Sequence, residues 1–138
     1  MTKIILTEDL KTGVAKIDEQ HQELIDRINE LKTMGAQVFS KEEIQKTLDL
    51  LGEYVIKHFA DEEQLQNQSN YPKYEMHKEL HKNFVKEFLK MQEEFASNGS
   101  SLKFSLELTQ VVINWLIKHI KMADVEFGRY YKELNTKN

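Results

Sequence analysis

The 138 residues carry 19 basic and 23 acidic side chains for a net charge of −4, with the two signs interleaved, so the chain lacks the basic face that nucleic acid or an anionic membrane requires. At 40% hydrophobic and 30% charged it has the balance of one globular domain. One Pro and five Gly are too few for a many-turned β protein, and the absence of Cys removes disulfides, thiolate metal sites and thiol nucleophiles.

No apolar run approaches the roughly 20 residues of a membrane span. The opening Met1-Thr2-Lys3-Ile4-Ile5-Leu6-Thr7-Glu8-Asp9 reaches an acidic pair too soon for a signal peptide. A cytoplasmic setting is the expectation. Residues 1–17 read as an extended arm. From Asp18, the expected N-cap, a 3.6-residue period sets in, and Ile17, His21, Leu24, Ile25, Ile28 and Leu31 share one face of a helix over about 18–39. Ser40 followed by Glu43 has the form of a capping box. It opens a second helix over about 41–66 with Ile44, Leu48, Leu51, Val55, His58, Phe59, Glu62 and Leu65 on its stripe.

The polar cluster 66–70 is a loop by composition. Tyr71-Pro72 then starts a third helix over about 72–98, proline being welcome in a first turn. Its stripe is His77, His81, Phe84, Phe88, Met91 and Phe95, ending at Asn98-Gly99. The fourth helix, about 101–128, turns Leu108, Val112, Trp115, Leu116, His119 and Ala123 inward. Gly128 is expected to loosen its end, leaving a short C-terminal piece over 129–134. Four amphipathic helices on short connections make an all-α, up-down-up-down antiparallel four-helix bundle with an N-terminal arm, a single domain over 1–138. No exposed apolar stripe calls for a partner copy, so a monomer is expected.

All five histidines fall on inward stripes: His21, His58, His77, His81 and His119. Glu62 lies four residues after His58, one turn above it. His77 and His81 are four apart, about 40° around the axis. A single buried histidine has an ordinary explanation, a hydrogen bond to a backbone carbonyl. Five converging together, with Glu62 and Asp124 at ligand spacing, point instead to a metal site, because buried imidazoles and carboxylates need partners. Imidazole and carboxylate donors suit first-row ions such as Fe, Mn, Zn or Co.

Seven donors are too many for one tetrahedral ion, so two ions are implied. With both carboxylates and one solvent oxygen bridging, the donors supply eleven of the twelve positions of two octahedral ions, leaving one open. His119 and Asp124 are five residues apart, about 140° on an ideal helix. Either they reach round opposite flanks, or a π-bulge brings them together.

This pattern resembles the bacterial hemerythrins. The resemblance is carried by Ile17-Asp18-Glu19-Gln20-His21, by His58 to Glu62, by Tyr71-Pro72 leading to His77 and His81, and by Trp115 ahead of His119 to Asp124. It covers essentially the whole chain. It implies a non-haem di-iron centre with a bridging oxo or hydroxo group, and O2 as ligand. His77, His81 and His119 would serve one iron, His21 and His58 the other, with Glu62 and Asp124 between them. By register, Leu24, Phe59, Trp115 and Met122 would wall the O2 pocket. Relatives commonly carry a tryptophan in the arm where this chain has Leu6, so Leu6 marks a possible tunnel.

The function this implies is reversible O2 binding for storage, delivery or sensing rather than catalysis. The alternative is an enzyme that reduces peroxide, NO or O2 at the same site. That reading needs an external electron donor, hence a redox partner protein, and Lys78, Lys82 and Lys86 on helix three offer a patch for one. No Glu-x-x-His pair of the carboxylate-rich oxidases occurs in the chain.

Overall fold

The computed structural model describes residues 3–35 and 40–136. Among them there is no strand. Helix α1 spans Ala15–Gly35, α2 Lys41–Gln68 and α3 Tyr74–Asn98. A fourth helical run, α4, covers 102–136 and changes its winding along the way. It is α-helical over Leu102–Glu107, π over Leu108–Asn114, α over Trp115–His119, π over Ile120–Asp124 and α over Val125–Thr136. The four pack as a four-helix bundle. The stretch 36–39, where the sequence reading ends the first helix, lies outside the described residues.

Two helix starts are capped by a serine side chain. Ser40 accepts from the Glu43 backbone N–H at 3.1 Å, and Glu43 Oε1 accepts from the Ser40 N–H, so the capping box at the start of α2 is formed. Ser101 accepts from Phe104 N–H to start α4. Asp18 differs from its expected role. The helix begins three residues before it, and its carboxylate reaches back to accept from Thr12 N–H and Thr12 Oγ1, both at 2.8 Å, and from Gly13 N–H at 3.1 Å. Asp18 therefore ties the arm to α1 from inside the helix's first turns. The chain makes this bend at Gly13, whose φ of +84° is costly for any residue with a Cβ.

Three further boundaries are corrected. The second helix runs through Gln66 to Gln68, and Gln66, read as loop, is fully buried. Pro72 lies in the turn before α3 rather than in its first turn. Gly128 does not end the fourth helix, which continues to Thr136. A Cβ at Gly128 would collide with the Thr12 carbonyl, so this glycine lets the arm lie directly on α4. Tyr130 closes the same end by donating its hydroxyl to Ser69 O at 2.6 Å.

The arm turns once, over Glu8–Leu10, and then runs along the bundle with Leu10 buried and Leu6 and Ile4 partly buried against the core. Asn29 on α1 clamps it, accepting from Ile4 N–H and donating to Ile4 O, both at 2.9 Å. The end of the bundle away from the histidines is packed with Leu31, Leu48, Leu51, Met91 and Phe95, each no more than 1% exposed.

Candidate metal centre

The helix stripes bring His21, His58, Glu62, His77, His81, His119 and Asp124 to one place in the interior, none more than 6% exposed. Their donor atoms form two groups that share both carboxylates: Glu62, His77, His81, His119 and Asp124 in one, and His21, His58, Glu62 and Asp124 in the other. In the first group, His77 Nε2 stands 2.9 Å from Asp124 Oδ1 and 3.0 Å from Glu62 Oε1. His81 Nε2 is 3.1 Å from Glu62 Oε1, and His119 Nε2 is 3.1 Å from Asp124 Oδ1. The other oxygen of Asp124, Oδ2, turns to His21 Nε2 at 3.0 Å.

The fifth residue after His119 reaches the same point because Ile120–Asp124 is wound as a π turn. The wider turn closes the angular gap that an α-helix would leave, which decides between the two routes open from sequence.

These contacts are not an ordinary hydrogen-bond network. The Nε2 atoms of His77 and His81 each lie 3.1 Å from His119 Nε2, so three ring nitrogens point at one another. Among the described residues, both nitrogens of His21, both oxygens of Glu62 and Asp124 Oδ1 are buried without a regular hydrogen bond. Leaving so many buried polar atoms unsatisfied is costly unless a cation lies among them. The spacing fits one. Ligands about 2.1 Å from a first-row ion stand about 3.0 Å apart when they subtend a right angle, and about 3.4 Å apart at a tetrahedral angle. The observed separations of 2.9–3.1 Å match the edges of an octahedron.

Electrostatics set His58 apart from His77. Burial, only partly offset by Glu62, pulls the His58 imidazole down to about 4. Burial acts the same way on His77, but its interactions with Asp124 and Glu62 prevail and raise it to about 9. Burial and Asp124 push the Glu62 carboxyl upward, yet His77 and His81 outweigh them and bring it to about 2. Asp124 is likewise held well below the usual carboxylate range, burial being overcome by His119, His21 and His77. Without a metal, protons would have to sit among these nitrogens to neutralise the carboxylates.

Beyond the donors, the structure adds residues that the sequence reading did not single out as site residues. His58 Nδ1 is 2.7 Å from Gln20 Oε1, and Gln20 Nε2 donates to Asp61 Oδ2 at 2.8 Å. His81 Nδ1 is 2.8 Å from Glu63 Oε2. Gln20 adjoins His21 and Glu63 adjoins Glu62, so adjacency to a ligand was the available signal. It could not show that each side chain serves a histidine on another helix.

Of the pocket residues named by register, Leu24 is fully buried and Phe59 is 3% exposed. The Phe59 ring stacks on His81 with centroids 3.8 Å apart, and Trp115 stacks on His119 at 4.4 Å. Met122 is a correction: it is 62% exposed and lines no interior surface. The π turn carries it outward, and Ile120 is the residue of that turn buried in the apolar core with Leu24 and Phe59.

Comparison with known proteins gives one consistent result. Residues 12–130 match the hemerythrin HHE cation binding domain. The bacteriohemerythrin of Methylococcus capsulatus (strain ATCC 33009 / NCIMB 11132 / Bath) is 31% identical over 117 residues, 85% of this chain and 87% of that one. A myohemerythrin from Theromyzon tessulatum is 30% identical over 120 residues, 87% of each. A crystal structure of wild-type hemerythrin superposes with a TM-score of 0.80 at 29% identity, covering 94% of this chain and 95% of that one. Two buried His/Glu/Asp donor groups agree with a cation binding domain, and the chain belongs to the hemerythrin family.

Proposed function

We propose that this protein is a non-haem di-iron O2-binding protein, taking dioxygen reversibly at one open iron position. The observation that carries the proposal is the sharing of Glu62 and Asp124 between two donor groups of unequal size. His77, His81 and His119 with the two carboxylates would give one ion five protein donors. His21 and His58 with the same carboxylates would give the other four. With one further oxygen donor shared between them, the first ion would have six donors and the second five, so the second would keep a position open to a small ligand. Two ferrous ions there would supply the electrons that bind O2.

The chain's own residues hold the rings, keep water out and fix two protons. Gln20 and Glu63 hold the Nδ1 protons of His58 and His81, leaving each Nε2 lone pair directed at the donor cluster. Phe59 and Trp115 lie flat against His81 and His119 and resist ring rotation. Leu24, one turn after His21, supplies an apolar wall without a proton donor. Such a wall favours release of the intact ligand over its protonation and loss.

The test is optical. The iron-loaded protein is reduced anaerobically, exposed to O2 and followed in the visible range. A charge-transfer band that disappears on deoxygenation and returns with O2 is expected. Immediate passage to the oxidised form, with steady turnover of peroxide and reductant, would replace the carrier reading with an enzyme.

A further inference from the structure

The two histidines whose Nδ1 atoms meet a side chain across a helix interface are not held alike. His81, in the five-donor group, meets a carboxylate, Glu63 Oε2 at 2.8 Å. His58, in the four-donor group, meets the amide oxygen of Gln20 at 2.7 Å. Geometry fixes the polarity of both contacts. Asp61 can only accept, so the Gln20 NH2 must face it at 2.8 Å and the Gln20 carbonyl must face His58. His58 Nδ1 is therefore the donor. Glu63 also only accepts, which makes His81 Nδ1 a donor too. Both Nε2 atoms are then left for coordination, but only His81 gives its proton to an anion.

We infer that Glu63 is a positioning residue that makes the two metal positions electronically unequal, its carboxylate strengthening His81 as a ligand and favouring the higher oxidation state of the ion His81 serves. The inference rests on the two-ion reading above. A carboxylate accepting the far N–H draws the proton toward itself, pushes electron density onto Nε2 and raises the basicity of the ring. A neutral amide does this less. Asp61 does not make up the difference on the His58 side, because it acts through the intervening amide and is itself paired with Lys57 at 3.4 Å and Lys16 at 4.0 Å. Burial sharpens the contrast: the Glu63 side chain is only 20% exposed and His81 only 2%, so solvent screens the pair weakly. The consequence is a division of labour. The position with His81 would hold the more electron-rich, more easily oxidised ion, and the position with His58, with fewer and less basic donors, would be the stronger Lewis-acid site that keeps its vacancy.

The experiment compares wild type with Glu63→Gln and Glu63→Ala. Glutamine keeps an oxygen to accept from His81 but removes the charge; alanine removes both. Metal-free protein is titrated with Co(II) against a competing chelator, and the iron-loaded forms are poised electrochemically. The expectation is two unequal Co(II) sites in wild type. In both variants one of them is weakened by about 10–100-fold while the other is unchanged, and the iron midpoint potential rises. If Glu63→Gln behaves as wild type and only Glu63→Ala loses affinity, the hydrogen bond matters and the charge does not, and the inference is overturned. Equal behaviour of all three proteins overturns it as well. Fewer than two Co(II) ions in wild type would instead overturn the two-ion reading itself, an outcome visible before any variant is made.

Discussion

At one end of the bundle the interior is Leu31, Leu48, Leu51, Met91 and Phe95. At the other, the same four helices enclose five imidazoles and two carboxylates, with Gln66 buried beside them on α2. The first end is held by apolar area removed from water, a contribution the chain supplies alone. The second buries atoms that make no regular hydrogen bond among the described residues, both nitrogens of His21 and both oxygens of Glu62 included, although imidazole and carboxylate crowd to within 3.0 Å. One fold thus carries two kinds of stability, one intrinsic and one borrowed from a ligand.

Removing the metal should break this symmetry most. A ligand present at about 1,000 times its dissociation constant stabilises the state that binds it by about 4 kcal/mol. Stripping it should lower the melting temperature markedly. Amide exchange should rise in the histidine-bearing turns around His21, His58, His77 and His119, while the turns around Leu48 and Phe95 keep their protection. A chelated protein that melts with the loaded one would show that the site end needs no ligand.

The converse perturbation belongs to the apolar end. Phe95 is 1% exposed and packs on Phe104 with ring centroids 4.6 Å apart. Phe95→Ala should cost about 3–5 kcal/mol, the range for deleting a buried aromatic side chain. Because Phe95 is remote from the donors, the loss should be equal with and without metal in denaturant titrations. A cost that depends on metal would mean that the two ends are coupled rather than independent.

His21, His58, His77 and His81 could be read from sequence because each lies on a long α-helix, where a 3.6-residue period assigns the face. Glu62, one turn beyond His58, followed for the same reason. His119 keeps its face on a five-residue α stretch between two π segments. One failure falls where that period fails. Ile120–Asp124 is a π turn, so Met122, placed in the pocket by α-helical register, is exposed and Ile120 is buried. Gln20 and Glu63 escaped for a different reason. Their roles depend on how α1 is offset against α2 and α2 against α3, which no single helix records. Gln66 was read as loop because polar composition marks loops, and nothing local signalled that α2 would continue and bury it.

Acidity offers a finer way to separate the two ends, since the apolar end holds no histidine. In metal-free protein His58 is lowered from 6.5 to about 4 by burial. Its contribution to stability should therefore be present above 6.5 and lost as pH falls from 6.5 toward 4. His77 has the opposite sign. Raised from 6.5 to about 9 by Asp124 and Glu62 against the pull of burial, it contributes fully below 6.5 and loses its contribution as pH rises through 9. Metal-free protein should thus weaken on both sides of neutrality in urea titrations across this range. With metal bound, coordination occupies the His77 nitrogen and the alkaline decline should disappear. His21 and His81 are raised in the same direction. An alkaline decline of the same size in both forms would therefore mean that these raised histidines, His77 among them, are not held by metal.

The smallest expected effect concerns the arm, which touches both ends. Gly128 lies against Thr12, and Thr12 is held by Asp18 through two contacts of 2.8 Å. A methyl group at 128 must push the arm away from α4, because the atom it meets is a backbone carbonyl that cannot swing aside. Gly128→Ala should cost about 1–3 kcal/mol as an overpacking change. The displacement should also reach Leu6 through the short stretch between them, widening any path beneath the arm and speeding autoxidation of the iron-loaded protein. Leu6→Trp acts on the same path in the opposite sense and should slow autoxidation without a comparable change in stability. Unchanged rates in both variants would mean that the arm braces the bundle and guards nothing, whereas opposite shifts would tie its packing at Thr12 to the seclusion of the site.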